Sequence, residues 1–357
     1  MKNHVKGLDL SESFFNECAL PLLQKHYPDL RYSAGLIGWG SDVLGYDDAI
    51  STDHNWGPRF YLFLRDEDEN KKQELRDMFA TNLPYEHRGY SVNFINTDGE
   101  SRMKSISEGK VNPLMDILTV DEYLAGWYLG KSDFTDLTYL DWLTFSEHRL
   151  LGVTSGKFFR DDLGFKEKIE VLRFYPENVR LYLVASNWTI ISKEQAFIRR
   201  CAQVGDNLGS VLVCGRIADR LMRLAFLYCK KYAPYSKWFG TAFSELPVSD
   251  ELKDALSKAV TASDIETREN EIVRAQKLII DLHNEAGITE FFDAEVSDYG
   301  RGAKIIFVWA IIDEIKEKLK GTGLEKYPLI GSFNGVANLN ELWDYMPMMQ
   351  KAKMIYE

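Results

Sequence analysis

The residues best suited to chemistry lie together between positions 38 and 58, GWGSDVLGYDDAISTDHNWGP. This stretch holds four acidic residues (Asp42, Asp47, Asp48 and Asp53), four glycines, three serine or threonine hydroxyls and one histidine, His54. A Gly-Ser pair after a strand, here Gly40-Ser41, offers backbone N–H groups and a hydroxyl to a phosphate, because glycine has no Cβ to block close approach. Carboxylates at alternate positions of a strand point to one face. Two such oxygen ligands hold Mg2+, which bridges nucleotide phosphates and lowers the charge barrier to attack. Asp53-His54-Asn55 follows Ser41 after eleven residues. Asp53 and Asn55 are therefore expected on one face of a strand, with His54 opposite. A solvated acidic loop is the bland alternative. Trp39, Tyr46, Ile50 and Trp56 favour a functional loop, since a purely solvent-facing one rarely carries such residues. His54 is either a general base or partner to Asp53, or a histidine that satisfies nearby backbone groups.

Such a loop needs strands on both sides. An apolar stretch at 34–37 precedes it and a strand candidate at 59–64 follows it. Ser11 can cap a helix running to about 26, which Tyr27-Pro28 ends. A charged stretch at 66–72 opens a helix to about 79, and further strands are expected at 90–95 and 115–119. This order reads as one α/β or α+β unit of roughly 130 residues. Helical period then dominates at 193–203, 207–232, 250–259 and 266–284, the pattern of a helix bundle, with a break at Ala233-Pro234-Tyr235. Residues 331–340, rich in Gly and Asn, read as a loop.

Composition sets the outer limits. The chain has 357 residues, about two domains at ~150 residues each. Apolar residues are 45% and charged residues 27%, which excludes disordered and fibrous classes. The formal charge of −11 excludes broad binding to duplex nucleic acid, which needs a net basic face. It leaves room for a small basic pocket. The first ten residues lack the pattern of a signal peptide. The longest apolar run, IIFVWAII at 305–312, falls far short of the ~20 residues of a membrane helix. Four widely spaced cysteines without a CxxC read as reduced thiols, so the expectation is a cytoplasmic protein with no membrane partner. Gly38-x-Gly40 touches the dinucleotide fingerprint but fails at Val43. No GxxxxGK[ST], HExxH or GxSxG pattern is present.

Gly40-Ser41 followed by Asp53-x-Asn55 resembles the G-S … D-x-D/E signature of the nucleotidyltransferase (polymerase-β-like) superfamily. More closely, the chain resembles the DUF4037 family. Gly40, Ser41, Gly45, Asp47, Asp48, Ser51, Asp53, His54, Gly57 and Pro58 are in step with that family's N-terminal stretch. Residues 205–210 (GDNLGS) and 232–240 (YAPYSKWFG) look like its second-domain motifs. The resemblance implies an α+β protein: a nucleotidyltransferase-like mixed-sheet domain, residues 1–140, followed by a mainly helical domain, residues 141–357, that closes a cleft over it. It implies a Mg2+–nucleoside triphosphate on Gly40 and Ser41, with metal held by Asp53, Asn55 and Asp48. A third carboxylate would position the acceptor hydroxyl; Asp116 is the first candidate and Asp98 the second. The chain departs from the family pattern at Asn55, where an amide replaces a second carboxylate. Either Asp47 or Asp48 then supplies the missing charge, or catalysis is impaired.

Other residues carry two readings each. Arg216, Arg220 and Arg223 form a basic stripe beside Asp219, which suits phosphate contact or a solvated face with an internal ion pair. Lys237 and Trp238, with Lys230, Lys231 and Tyr235, interleave cations and rings that suit a nucleotide or an interhelical corner. Glu147-His148 looks like an ordinary helix start. Arg88, Arg102 and Lys104 lie near the strands of the first half. The leading expectation is a nucleotidyltransferase that moves a nucleoside monophosphate from a Mg-NTP to an unknown small-molecule hydroxyl acceptor. The alternative is a catalytically degenerate protein that binds a nucleotide or a partner.

Overall fold

The computed structural model describes residues 5–336 and 345–356. The N-terminal residues 1–4 and residues 337–340 of the expected Gly- and Asn-rich loop lie outside the described residues. The fold is α+β, as expected, and the chain divides into two compact units. The first comprises Met1–Asp136 and Arg149–Arg173; the second comprises Leu137–His148 and Phe174–Glu357.

In the first unit, α1 (Gly7–Phe14), a π-helical turn (Phe15–Ala19) and α2 (Leu20–His26) make one helical run. It begins four residues before Ser11. That serine is buried and donates to the Gly57 carbonyl at 3.3 Å instead of capping. The N-terminal amide of Gly7 donates to the Asp47 carboxylate at 2.7 Å, so an acid 40 residues away satisfies and charge-complements the helix start.

The sheet uses β1 (Tyr32–Leu36) and β2 (Arg59–Leu64). Two small hairpins follow: β3 (Glu86–His87) with β4 (Tyr90–Ser91), and β5 (Phe94–Thr97) with β6 (Glu100–Met103). Then come β7 (Leu114–Thr119) and β8 (Lys157–Asp161). The order is β7-β2-β1-β8, with β2 and β7 parallel and the other pairs antiparallel. The single strand expected at 90–95 is broken. Ser91 and Asn93 spend their side chains on backbone groups of Asn93, Lys104 and Asn112, which competes with the ladder.

Every residue of β1 and β2 is buried, so both faces of the sheet are covered. Phe60, Leu62 and Leu64 join Phe14, Phe15 and Ile117 with Leu75 and Phe79 of α3 (Lys72–Asn82). Tyr61 and Phe63 point the other way, to Tyr123 (5.4 and 5.2 Å between ring centroids) and Phe165 (4.7 Å from Phe63). Strand β8 explains why one cut at 140/141 does not describe the molecule. It pairs with β1, so the chain must return to the first unit after residue 148. That strand was not expected from KFFRD.

After α4 (Tyr139–Thr144), α5 (Glu147–Thr154) and α6 (Phe165–Lys168), the helices of the second unit follow. They are α7 (Glu177–Glu194), α8 (Phe197–Gln203), α9 (Asn207–Tyr228), α10 (Ser236–Ser244), α11 (Asp250–Thr261), α12 (Ile265–Glu285) and α13 (Trp309–Leu319). A short hairpin, β9 (Val296–Asp298) with β10 (Lys304–Ile306), precedes α13. Helix α7 shows no amphipathic period in the sequence because twelve of its 18 residues are buried. No helix among the described residues is long and apolar enough to cross a membrane.

A polar chain runs through this core. The Trp188 indole donates to the Tyr228 hydroxyl (2.9 Å), which meets His283 Nδ1 (3.1 Å); His283 Nε2 meets the Thr289 hydroxyl (2.7 Å), which donates to the Glu290 carbonyl (2.9 Å). A neutral His283 that accepts from Tyr228 at Nδ1 and donates from Nε2 to Thr289 satisfies every member of this chain. Burial pushes its pKa down to about 4.

Two outcomes follow from this packing. Phe60→Ala should lower first-unit stability by ~3–5 kcal/mol, the cost of an unfilled aromatic site, as measured by denaturant unfolding. The unfolded chain protonates His283 near the ordinary 6.5 and the folded chain only near 4. Its contribution to stability is therefore complete above about pH 6.5 and declines as pH falls toward 4, by up to ~1.4 kcal/mol per pH unit. His283→Gln should flatten that slope in unfolding midpoints taken from pH 7 to 4.

Candidate functional site

The loop from 38 to 58 links β1 to β2 and is pinned at both ends. The Gly38 amide donates to the Gly152 carbonyl at 2.8 Å. A Cβ at Gly152 would lie 2.4 Å from the Gly38 carbonyl oxygen, so the two backbones touch only because residue 152 is glycine. At the other end, Arg59 grips both oxygens of Asp42, through Nε at 3.1 Å and Nη2 at 2.7 Å, and Nη2 also donates to the Trp39 carbonyl at 2.8 Å. Gly40 sits inside this clasp at φ +128°, where a Cβ would fall 2.1 Å from Asp42 Oδ1. The Arg149 guanidinium lies 4.9 Å from the centre of the Trp39 ring. Gly40-Ser41 is therefore a shaped turn directly after the first strand.

The four loop acids have different tasks. Asp42 is buried against Arg59. Asp47 is buried too, accepting from the Gly7 amide and, at 3.0 Å, from the Trp56 indole, with Lys6 Nζ at 3.5 Å. It caps a helix and does not supply the charge that Asn55 lacks. Asp48 Oδ1 accepts from the Ile50 and Ser51 amides and the Ser51 hydroxyl, each at 2.9 Å, closing an Asx turn. The Asp53 side chain is 58% exposed and meets His54 Nδ1 at 2.9 Å. That hydrogen bond holds its pKa below the ordinary carboxylate value. His54 Nε2 lies 3.9 Å from Glu100.

Asp53 and Asn55 do not share a strand face, because they are not on a strand. Strand β2 begins at Arg59, after Gly57 at φ +137° and Pro58, which has no N–H for a ladder. Asn55 itself is left-handed at φ +49°. Its amide oxygen accepts from the Ser101 N–H at 3.0 Å, and its own N–H donates to the Ser101 carbonyl at 2.7 Å. The Asn55 oxygen is thus committed to the β5–β6 hairpin.

Asp116 stands on β7 as expected, opposite Tyr61 in the parallel register. Burial raises its pKa, and the charges of Arg76 and Arg59 oppose that rise. Tyr61 is pushed up to about 12, first by burial. Asp98 lies at φ +56° beside Gly99, in the turn between β5 and β6. The donors fit Mg2+ poorly in this arrangement. Asp53 is open, while Asn55 and Asp48 Oδ1 are taken by backbone N–H groups. No cluster of three or more His, Cys, Asp or Glu side chains suited to a metal ion occurs among the described residues.

The remaining expected residues belong to the second unit, whereas Gly40, Ser41, Asp48, Asp53, Asn55 and Asp116 belong to the first. The arginine stripe of α9 divides. Arg216 is exposed and pairs with Glu194 at 3.0 Å. Arg220 Nη2 turns to the Gly335 carbonyl at 2.8 Å. Arg223 bridges Asp219 at 3.0 Å and Glu147 at 3.5 Å. Lys237 is exposed on α10, its ammonium 5.0 Å from the centre of the adjacent Trp238 ring. Arg59, hidden at the start of an apolar run, was not singled out from the sequence, and Glu147 was read there only as part of an ordinary helix start. Glu147 is buried, accepts from the Ala233 amide at 3.0 Å, and has its pKa raised by that burial. Its apolar neighbours Leu143, Phe145 and Leu150 were the available signal.

Comparison with known proteins adds the following. No curated protein sequence matches the chain significantly. A solved structure, a nucleotidyltransferase-like protein from Exiguobacterium sibiricum 255-15, is 11% identical. The match covers 89% of this chain and 91% of that one with a TM-score of 0.32. The resemblance read from the sequence does meet a family model: residues 142–239, which contain Glu147 and the arginines of α9, match the Domain of unknown function DUF4037.

Proposed function

We propose that the chain is a nucleotidyltransferase-type protein. In this reading the Gly40-Ser41 turn of the first unit receives the phosphates of a nucleoside triphosphate. A nucleoside monophosphate then passes to a small hydroxyl-bearing acceptor. The observation that supports this most is that three segments lie on, or in the loops that flank, three adjacent strands. Gly40-Ser41 follows β1, Asp53 precedes β2, and Asp116 lies on β7, in the order β7-β2-β1. The clasp around Gly40 keeps backbone close to any ligand, and Asp53 keeps an ionised carboxylate at the surface. Catalysis of this kind rests on positioning and charge neutralisation. Magnesium and the nucleotide remain part of the proposal.

A second reading, binding without transfer, is favoured by one contact: the Asn55 amide is held by Ser101, where the family pattern has a carboxylate. Calorimetry of Mg-ATP and Mg-GTP, with pyrophosphate release followed in parallel over a panel of hydroxylated acceptors, separates the two. Transfer predicts release, and Asp53→Ala should cut it at least about 100-fold with an unchanged unfolding midpoint, since Asp53 is exposed. Turnover that survives Asp53→Ala dismisses the assignment. Heat of binding without pyrophosphate supports the second reading. Asn55→Asp should then strengthen the magnesium dependence of binding, because an acid tolerates that left-handed backbone and adds a charge.

A further inference from the structure

One tryptophan of the first unit is brought to the surface by an unusual winding of the backbone. After β7 the chain enters a helical run, Glu122–Tyr128, wound as a π-helix. The Leu129 amide closes it on the Leu124 carbonyl, five residues back, at 2.7 Å. In an α-helix residue i+4 lies over residue i, and residue i+5 turns well away from it. The wider winding brings i+5 back into line, and such runs are rare and recur at functional sites. Tyr128 accordingly stacks on Tyr123, with ring centroids 5.1 Å apart and planes 10° apart, and both rings are fully buried. Trp127, which α-winding would lay over Tyr123, is left at the rim. Its ring meets those of Tyr123 and Tyr61 edge to face, at 5.8 and 5.9 Å, and the residue stays 44% exposed.

The surroundings of Trp127 are those of the candidate loop. Tyr61 is the register partner of Asp116, so the two side chains leave the sheet on the same face. Arg59, two residues before Tyr61 on β2, shares that face. Tyr123 sets its hydroxyl against the start of the loop: a Cβ at Gly38 would lie 2.4 Å from it. Arg149 makes the direct tie. It donates to the Trp127 carbonyl at 3.2 Å and to the Tyr128 carbonyl, and its guanidinium is the one that lies over the Trp39 ring. Trp39 immediately precedes Gly40-Ser41. A single side chain therefore spans the gap between the Trp127 backbone and the turn.

A half-exposed indole braced by buried rings offers a planar apolar surface. Nucleobases stack on such rings whatever their identity, because every base has a π-face. The nucleotidyltransferase reading above, on which this inference rests, brings one planar group to this unit: the base of the nucleoside triphosphate. We propose that Trp127 is the platform on which that base stacks while its phosphates lie at Gly40-Ser41. Trp127 is then the residue that tells a nucleotide from a bare polyphosphate. Arg149 is a positioning residue, which holds platform and turn in fixed relation.

The test is calorimetry of the full chain with Mg-ATP and with magnesium tripolyphosphate, which keeps the phosphates and lacks base and sugar. The wild-type chain should bind ATP at least about tenfold more tightly than tripolyphosphate. Trp127→Ala should erase that preference, weakening ATP about tenfold and leaving tripolyphosphate unchanged. If Trp127→Ala does not fold, Trp127→Phe decides. It keeps a smaller ring and should still bind ATP, but should lose most of the quenching of tryptophan fluorescence that ATP produces. An ATP preference that survives Trp127→Ala, the result expected of a purely structural tryptophan, overturns the proposal, as does quenching largely retained in Trp127→Phe. Equal binding of the two ligands by the wild-type chain also overturns it and leaves the phosphate turn of the proposed function standing. Binding of neither ligand removes both.

Discussion

The candidate loop takes its shape from a buried ion pair. Asp42 and Arg59 are 1% and 6% exposed, and their two-point contact draws residue 42 onto the first residue of β2. Such forked pairs are geometrically demanding as well as strong. Removing one partner of a buried pair leaves an uncompensated charge at a cost of ~3–5 kcal/mol. Here the same guanidinium also holds the Trp39 carbonyl, so the clasp fixes the backbone on both sides of Gly40. The absence of a Cβ at that position is a condition of the clasp itself, before any ligand is considered.

This changes how the acidic character of the loop is understood. Four carboxylates in 21 residues look like a metal centre in the making. Two are consumed by the fold, Asp42 by Arg59 and Asp47 by the start of α1. A third organises a local turn through one of its oxygens. The fourth, Asp53, is left exposed, with His54 beside it. The second unit shows a related economy in the satisfied chain around His283.

Much of the fold could be read directly from residues. Strand β2 matches the apolar run at 59–64, α12 and α11 follow their helical period to within two residues, and Asp116 lies on its expected strand. The failures have physical causes. Helix α7 is buried around most of its circumference, with Arg180, Ser186, Asn187 and Thr189 among its buried positions, so apolar and polar residues do not sort onto two faces and the 3.6-residue signal vanishes. Asp47 and Asp48 are adjacent and chemically identical; the Gly7 amide, the Trp56 indole and Lys6 distinguish Asp47, and no local pattern encodes that. Asp53-His54-Asn55 has the spacing of a strand motif, but Gly57-Pro58 intervenes before the ladder can start. Glu147 was set aside as a helix start, because its partners, Arg223 at 3.5 Å and the Ala233 amide, are distant in the chain and leave no local pattern.

The pairing of β8 with β1 bears on how such a protein can be dissected. A gene truncated after codon 136 would encode a polypeptide whose β1 presents a bare edge, an invitation to self-association. An autonomous half must instead rejoin residue 136 to 149 through a short engineered bridge. The excised 137–148 must in turn be grafted ahead of 174. Recombination that exchanges one half for a foreign counterpart has to cut the chain at three places.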